Sequence, residues 1–167
     1  LSAIRTLDPT ARLPLLLITT PALRQLEHAD MERFLGTLDE LVHADTKVST
    51  FEFVLQKLLT HHLRLSKTPT QNIDYTSFGA LRKEIAVVLS VLARAGSLDP
   101  QAAARSFAFG TNQLKVIESS ISLLSPENSD FEALDLALEK LAVSSLIIKK
   151  RLLIAAGHVI GNDGTIT

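Results

Sequence analysis

The sequence predicts an all-α protein of about seven helices on three observations. Aromatic residues make up only 5% of the 167 positions, and Leu and Ala, both strong helix formers, dominate. Apolar residues recur at helical spacing in every long segment, and no stretch alternates as a half-buried strand does. The segments are separated by helix punctuation: acidic and hydroxyl caps, Pro at helix starts, and Gly at helix ends.

In chain order, the first segment is Leu13 to Leu26, LPLLLITTPALRQL. It is apolar nearly all round and carries Pro14 and Pro21, so it is expected to be core or a docking surface. Its length and its prolines disqualify it as a membrane span. Asp30 is expected to cap a second helix with the stripe Phe34, Leu38, Leu41 and Val42. After the turn Ala44 to Val48, Ser49 and Glu52 form a capping box. It opens a helix carrying Phe51, Val54, Leu55, Leu58, Leu59 and His62. The polar stretch 64–76, with Pro69, is the expected linker between sub-modules of about 1–65 and 75–167.

The next helix, from about Ser77, holds Phe78, Leu81, Ile85, Val88, Leu89 and Leu92. Ala86, Val87 and Val91 extend its apolar surface, which marks it as the central, most buried helix. Gly96 ends it. Asp99-Pro100 restarts the chain as N-cap and first helical residue, and the helical reading continues through TNQLKVIESSISLL, 111–124. A second capping box, Ser129 to Glu132, opens a helix with Phe131, Leu134, Leu138 and Leu141. The last helix starts at Ser144 or Ser145, with an apolar stripe of Ile148, Leu152, Ala155 and Val159 that runs on to Ile160.

The net charge is −1 and the pI about 6.6, so no basic field advertises nucleic acid. With no Cys, a disulfide scaffold, a thiolate metal site and a cysteine nucleophile are excluded. Lys149-Lys150-Arg151 is read as a solvated helix face. The spacings of His28, His43, His61, His62 and His158 match no metal motif, and His62 is read as a half-buried helix residue. There is no HExxH pair and no GxSxG elbow. No catalytic residue, cofactor site or bound metal is therefore assigned to this chain.

One phrase occurs twice. HADTKVS, 43–49, is echoed by GNDGTIT, 161–167, with Asp45 lying on Asp163 and Ser49 on Thr167. Both read as helix–turn–helix corners, in which the acid satisfies turn N–H groups and the hydroxyl caps the next helix. The competing reading is a cation site at Asp45 and Glu52, opposed by Lys47 where a calcium loop needs a ligand. The second corner stops where a helix is due. The chain is therefore expected to belong to a longer one, or to take its next helix from elsewhere in the fold.

Arg12, Leu13, Pro14, Leu15 and Leu16, then Pro21, Ala22, Leu23 and Arg24, followed by Ala44, Asp45, Val48, Ser49, Phe51, Glu52, His62 and Leu63, make a pattern. It resembles the region that follows the catalytic domain in bacterial HtpX-like and CAAX-prenyl-protease-like membrane zinc metallopeptidases. The turn phrase is also similar to that of TerB-like helical domains. The resemblance implies a TerB-like orthogonal bundle serving as a non-catalytic accessory domain at the cytoplasmic face of the inner membrane. On this reading zinc and the metalloendopeptidase activity belong to an upstream catalytic domain. The partners are that domain and substrate or regulator proteins. The expected contact residues are Leu13, Leu16, Leu17, Leu23 and Arg24; the alternative is a cation-responsive sensor built on the acidic turn.

Overall fold

The computed structural model describes residues 8–44, 48–65, 72–115, 117 and 120–161. Among the described residues there are seven α-helices: α1 Pro9–Leu23, α2 His28–Val42, α3 Thr50–Leu65, α4 Arg82–Ala95, α5 Pro100–Thr111, α6 Phe131–Ala142 and α7 Leu146–Gly161. Short 3-10 turns cover Phe78–Leu81 and Pro126–Asn128. The protein is all-α, as its composition and periodicity predict. Among the described residues the only β-type pairing is a single bridge between Tyr75 and Ser144. The helices form two compact units, Leu1–Thr70 and Gln71–Thr167.

In the first unit α1 and α2 each pack on α3. Met31, Leu35 and Leu63 form the buried centre, with Leu23, Leu26 and Phe34 against it. The α2 stripe is rotated by about one residue from the one the sequence suggests: Met31, Leu35 and Val42 go inside, whereas Leu41 is 68% exposed. Helix α2 also starts earlier than an Asp30 cap would allow. Its first bond is from the Met31 N–H to the Glu27 carbonyl at 2.9 Å, and Asp30 sits in the first turn, paired with Arg33. There its charge faces the positive end of the helix dipole. In α3 the same rotation buries Phe53, Leu59 and Leu63 and leaves Phe51 and Val54 exposed. The Gln56 side-chain amide ties α3 to Asp39 of α2 at 2.6 Å.

The second unit is built round α4. Every residue from Glu84 to Ser90 is buried, and α5, α6 and α7 all pack on this helix. Seven consecutive buried positions exceed any single amphipathic face, so the helix must be surrounded. Ser77 starts the preceding 3-10 turn by accepting from the Gly79 N–H at 3.2 Å. Asp99 caps α5, accepting from the N–H groups of Gln101 and Ala102 at 3.0 and 3.2 Å, with Pro100 at the first helical position. Helices α5 and α7 approach closely at Gly110. A Cβ on Gly110 would collide with the Val159 side chain and lie 2.8 Å from the Ala155 carbonyl oxygen.

Two expectations for this unit are corrected. The stretch after α5 is not an α-helix over its described residues, of which Ser120 is 3-10. It descends in turns, with i→i+3 bonds from Leu114 to Thr111 and from Ile117 to Leu114, each placing one apolar plug, Leu114 or Ile117, in the core. The chain then binds α4 sideways, the Leu124 N–H donating to the buried Ser90 hydroxyl at 3.0 Å. Cross-chain satisfaction of this kind replaces the i→i−4 ladder that the apolar spacing alone suggests. The second correction concerns α6, which is capped by Asp130, accepting from Ala133 N–H at 2.8 Å. Ser129 is unavailable for that task. Its hydroxyl accepts from Arg94 and donates to the Ser125 carbonyl at 2.9 Å.

Candidate interaction surfaces

Helix α1 begins where Asp8 accepts from the Thr10 N–H at 2.8 Å and its hydroxyl at 2.6 Å. The Thr19 and Thr20 hydroxyls both donate to the Leu16 carbonyl, at 2.8 and 3.1 Å. Pro21 has no N–H to offer the Leu17 carbonyl. Thr20 is buried and Leu16 and Leu23 are half-buried, an i, i+4, i+7 row facing the unit's own core. Leu13, Leu15, Leu17 and Ile18 are 41%, 44%, 49% and 74% exposed.

Of the five contact residues chosen from sequence, Leu16 and Leu23 thus lie on the inner row, with Leu23 packed on the small core. Leu13 and Leu17 lie on the exposed side. Arg24 lies at the end of the helix, its Nη2 3.2 Å from His62 Nδ1 on α3. Ile18, absent from that set, is more exposed than Leu13 or Leu17, and Leu15 lies between those two. The signal was present, because an all-apolar helix in a small unit cannot turn every side inward.

Helix α7 repeats the pattern. Ile148, Leu152, Ala155 and Val159 are buried, while Leu146, Ile147 and Leu153 are at least 70% exposed. Lys150 and Arg151 lie on the exposed side. Lys149 instead turns inward to donate to the Ala142 carbonyl at the end of α6, where a cation complements the negative helix terminus.

At the acidic turn, Asp45, Thr46 and Lys47 lie outside the described residues, as does the second corner from Asn162 onward. Glu52 is described. Its Oε2 accepts from the Ser49 N–H at 2.8 Å and the Ser49 hydroxyl at 2.7 Å, and its own N–H donates to Ser49 Oγ at 3.3 Å. These bonds, the Ser49 hydroxyl first and its N–H second, hold the Glu52 carboxyl below the usual range. The group is therefore ionised and occupied in a reciprocal cap. Val48, the apolar plug of the turn, is half-buried.

The rings of His61 and His62 are set at 71° with centroids 6.3 Å apart, and His62 is half-buried on α3. His158 stacks edge-on against Phe109 at 5.4 Å. Among the described residues no three His, Asp or Glu side chains converge on one point. No described helix is long and apolar enough to cross a membrane. Comparison of the chain with protein-family models, curated proteins and solved structures returns no match.

Proposed function

We propose that this chain is a non-catalytic helical docking module serving a membrane-bound zinc metallopeptidase. The observation that carries the docking part is α1. It is a proline-started helix that keeps Leu13, Leu15, Leu17 and Ile18 in solvent although apolar side chains of this size each gain roughly 1.5–3 kcal/mol on burial. Four such residues on 15 make the helix a natural anchor for a groove or a second helix. The peptidase part rests on the resemblance of the Pro-Leu segment and the Ala-Asp turn to the region following the catalytic domain of HtpX-like enzymes. Regulation or substrate delivery would then work through surface contact, with zinc and the reaction supplied by the neighbouring domain.

The test has two parts. The coding sequence preceding Leu1 should specify paired membrane segments and an HExxH helix, and the chain by itself should leave casein intact. A preceding sequence without these features would remove the peptidase assignment. Zinc-dependent casein cleavage by the isolated chain would remove the non-catalytic one.

A further inference from the structure

A second surface, in the Gln71–Thr167 unit, has a different chemistry. An open groove of about 510 Å³ is bounded by the 3-10 turn at Phe78, the turns following α5, and the first half of α7. Its apolar wall is Phe78, Leu114 and Ile147. Leu114 is buried and anchored in the core, whereas Ile147 is 70% exposed beside the opening. Lys115 and Arg151 also line the groove, together with Asn112 and Gln113, which precede Lys115 in the chain. The described lining residues include no carboxylate. Two exposed positive charges therefore meet an apolar wall, and no described lining residue supplies a counter-charge.

The backbone at this end of α5 opposes an anion only weakly. The Ala108, Gly110 and Thr111 carbonyls, which would carry the negative end of the dipole, already accept from the N–H groups of Asn112, Gln113 and Leu114. Volume and lining match the usual small-molecule site, apolar walls with a few polar groups that fix orientation. An inorganic anion would leave the Phe78–Ile147 wall wet. A neutral hydrocarbon would leave two cations beside it with nothing to pair. We infer that the groove binds a small single-tailed amphiphile with an anionic head, the head between Lys115 and Arg151 and the tail along Phe78, Leu114 and Ile147. Both cations are exposed, so the attraction is screened by salt.

Decanoate is a direct probe, with decanol and acetate as the two halves of its chemistry. Titrated into the full 167-residue chain at low salt, decanoate should bind saturably and shift the methyl resonances of Leu114 and Ile147. Decanol and acetate should bind much more weakly. Lys115→Gln/Arg151→Gln should weaken decanoate by about tenfold at low salt, since both cations that would pair with its head are removed. Arg151→Gln alone should fall between, and both variants should keep the wild-type melting temperature because they alter only exposed side chains. Absence of saturable binding overturns the inference. So does decanol binding as tightly as decanoate, or decanoate affinity that survives the double substitution.

Discussion

Gly110 shows how one residue sets a helix contact. With no side chain it lets α5 approach α7 until the Val159 side chain and the Ala155 carbonyl occupy the space a Cβ would need. Helix propensity favours Ala over Gly by about 1 kcal/mol, but backbone cannot move aside as a flexible side chain can. Overpacking of this kind costs about 1–3 kcal/mol. Gly110→Ala is therefore expected to lower the urea midpoint, with an unchanged or raised midpoint counting against the contact.

The Ser49–Glu52 cap was legible in the sequence because a capping box is local. Its removal by Ser49→Ala should cost about 1 kcal/mol. The carboxyl is depressed in the folded chain, so its contribution is present above the unfolded carboxylate range and is lost as pH falls through the folded value. The stability gap between wild type and Glu52→Gln should shrink on acidification. Lys140 has the opposite sign: its hydrogen bond and charge pairing with Glu84, 2.7 Å away, raise its pKa against a smaller desolvation effect. Its contribution holds below the ordinary lysine range and fades as pH rises through the raised value.

At the scale of elements, helix type and order were readable because each segment carries its own period and punctuation. Phase was harder. Helices α2 and α3 offer apolar residues on more than one side, so the partner helix decides whether Leu35 or Leu41 goes inside. The segment after α5 was misjudged for a related reason. Its apolar residues stand at helical spacing, but its N–H groups find partners in turns and, at Leu124, across the chain in Ser90. Ser129 likewise gave up the expected capping role because Arg94, distant in sequence, binds its hydroxyl. Single helices also separate stabilising from docking roles. Leu89→Ala, at a fully buried position of α4, should cost about 2–5 kcal/mol. Ile18→Asp, on the open side of α1, should stay within about 0.5 kcal/mol of wild type. A large loss of stability for Ile18→Asp would mean that α1 is core rather than contact surface.

For the whole molecule, the two units are unequal in what holds them. The Gln71–Thr167 unit has a continuous core running from Leu81 through Val159, with α4 enclosed. The Leu1–Thr70 unit centres on Met31, Leu35 and Leu63. Small cores leave little margin over the conformational entropy of the chain. Residues 71–167 expressed alone should therefore melt cooperatively, and residues 1–70 alone should be markedly less stable; equal stability would contradict this ranking. The sequence expects sub-modules of about 1–65 and 75–167 joined by a polar stretch with Pro69, part of which lies outside the described residues. The interaction surface was only half visible. Sequence marks α1 as apolar nearly all round, and only packing decides which side it leaves uncovered.

The docking proposal is tested most directly by titrating the chain against the catalytic region that the proposal expects to precede it, wild type beside Leu17→Asp/Ile18→Asp. A saturable complex that the double substitution abolishes, with the melting temperature unchanged, is the expected result. No complex, or one indifferent to the two aspartates, would contradict it.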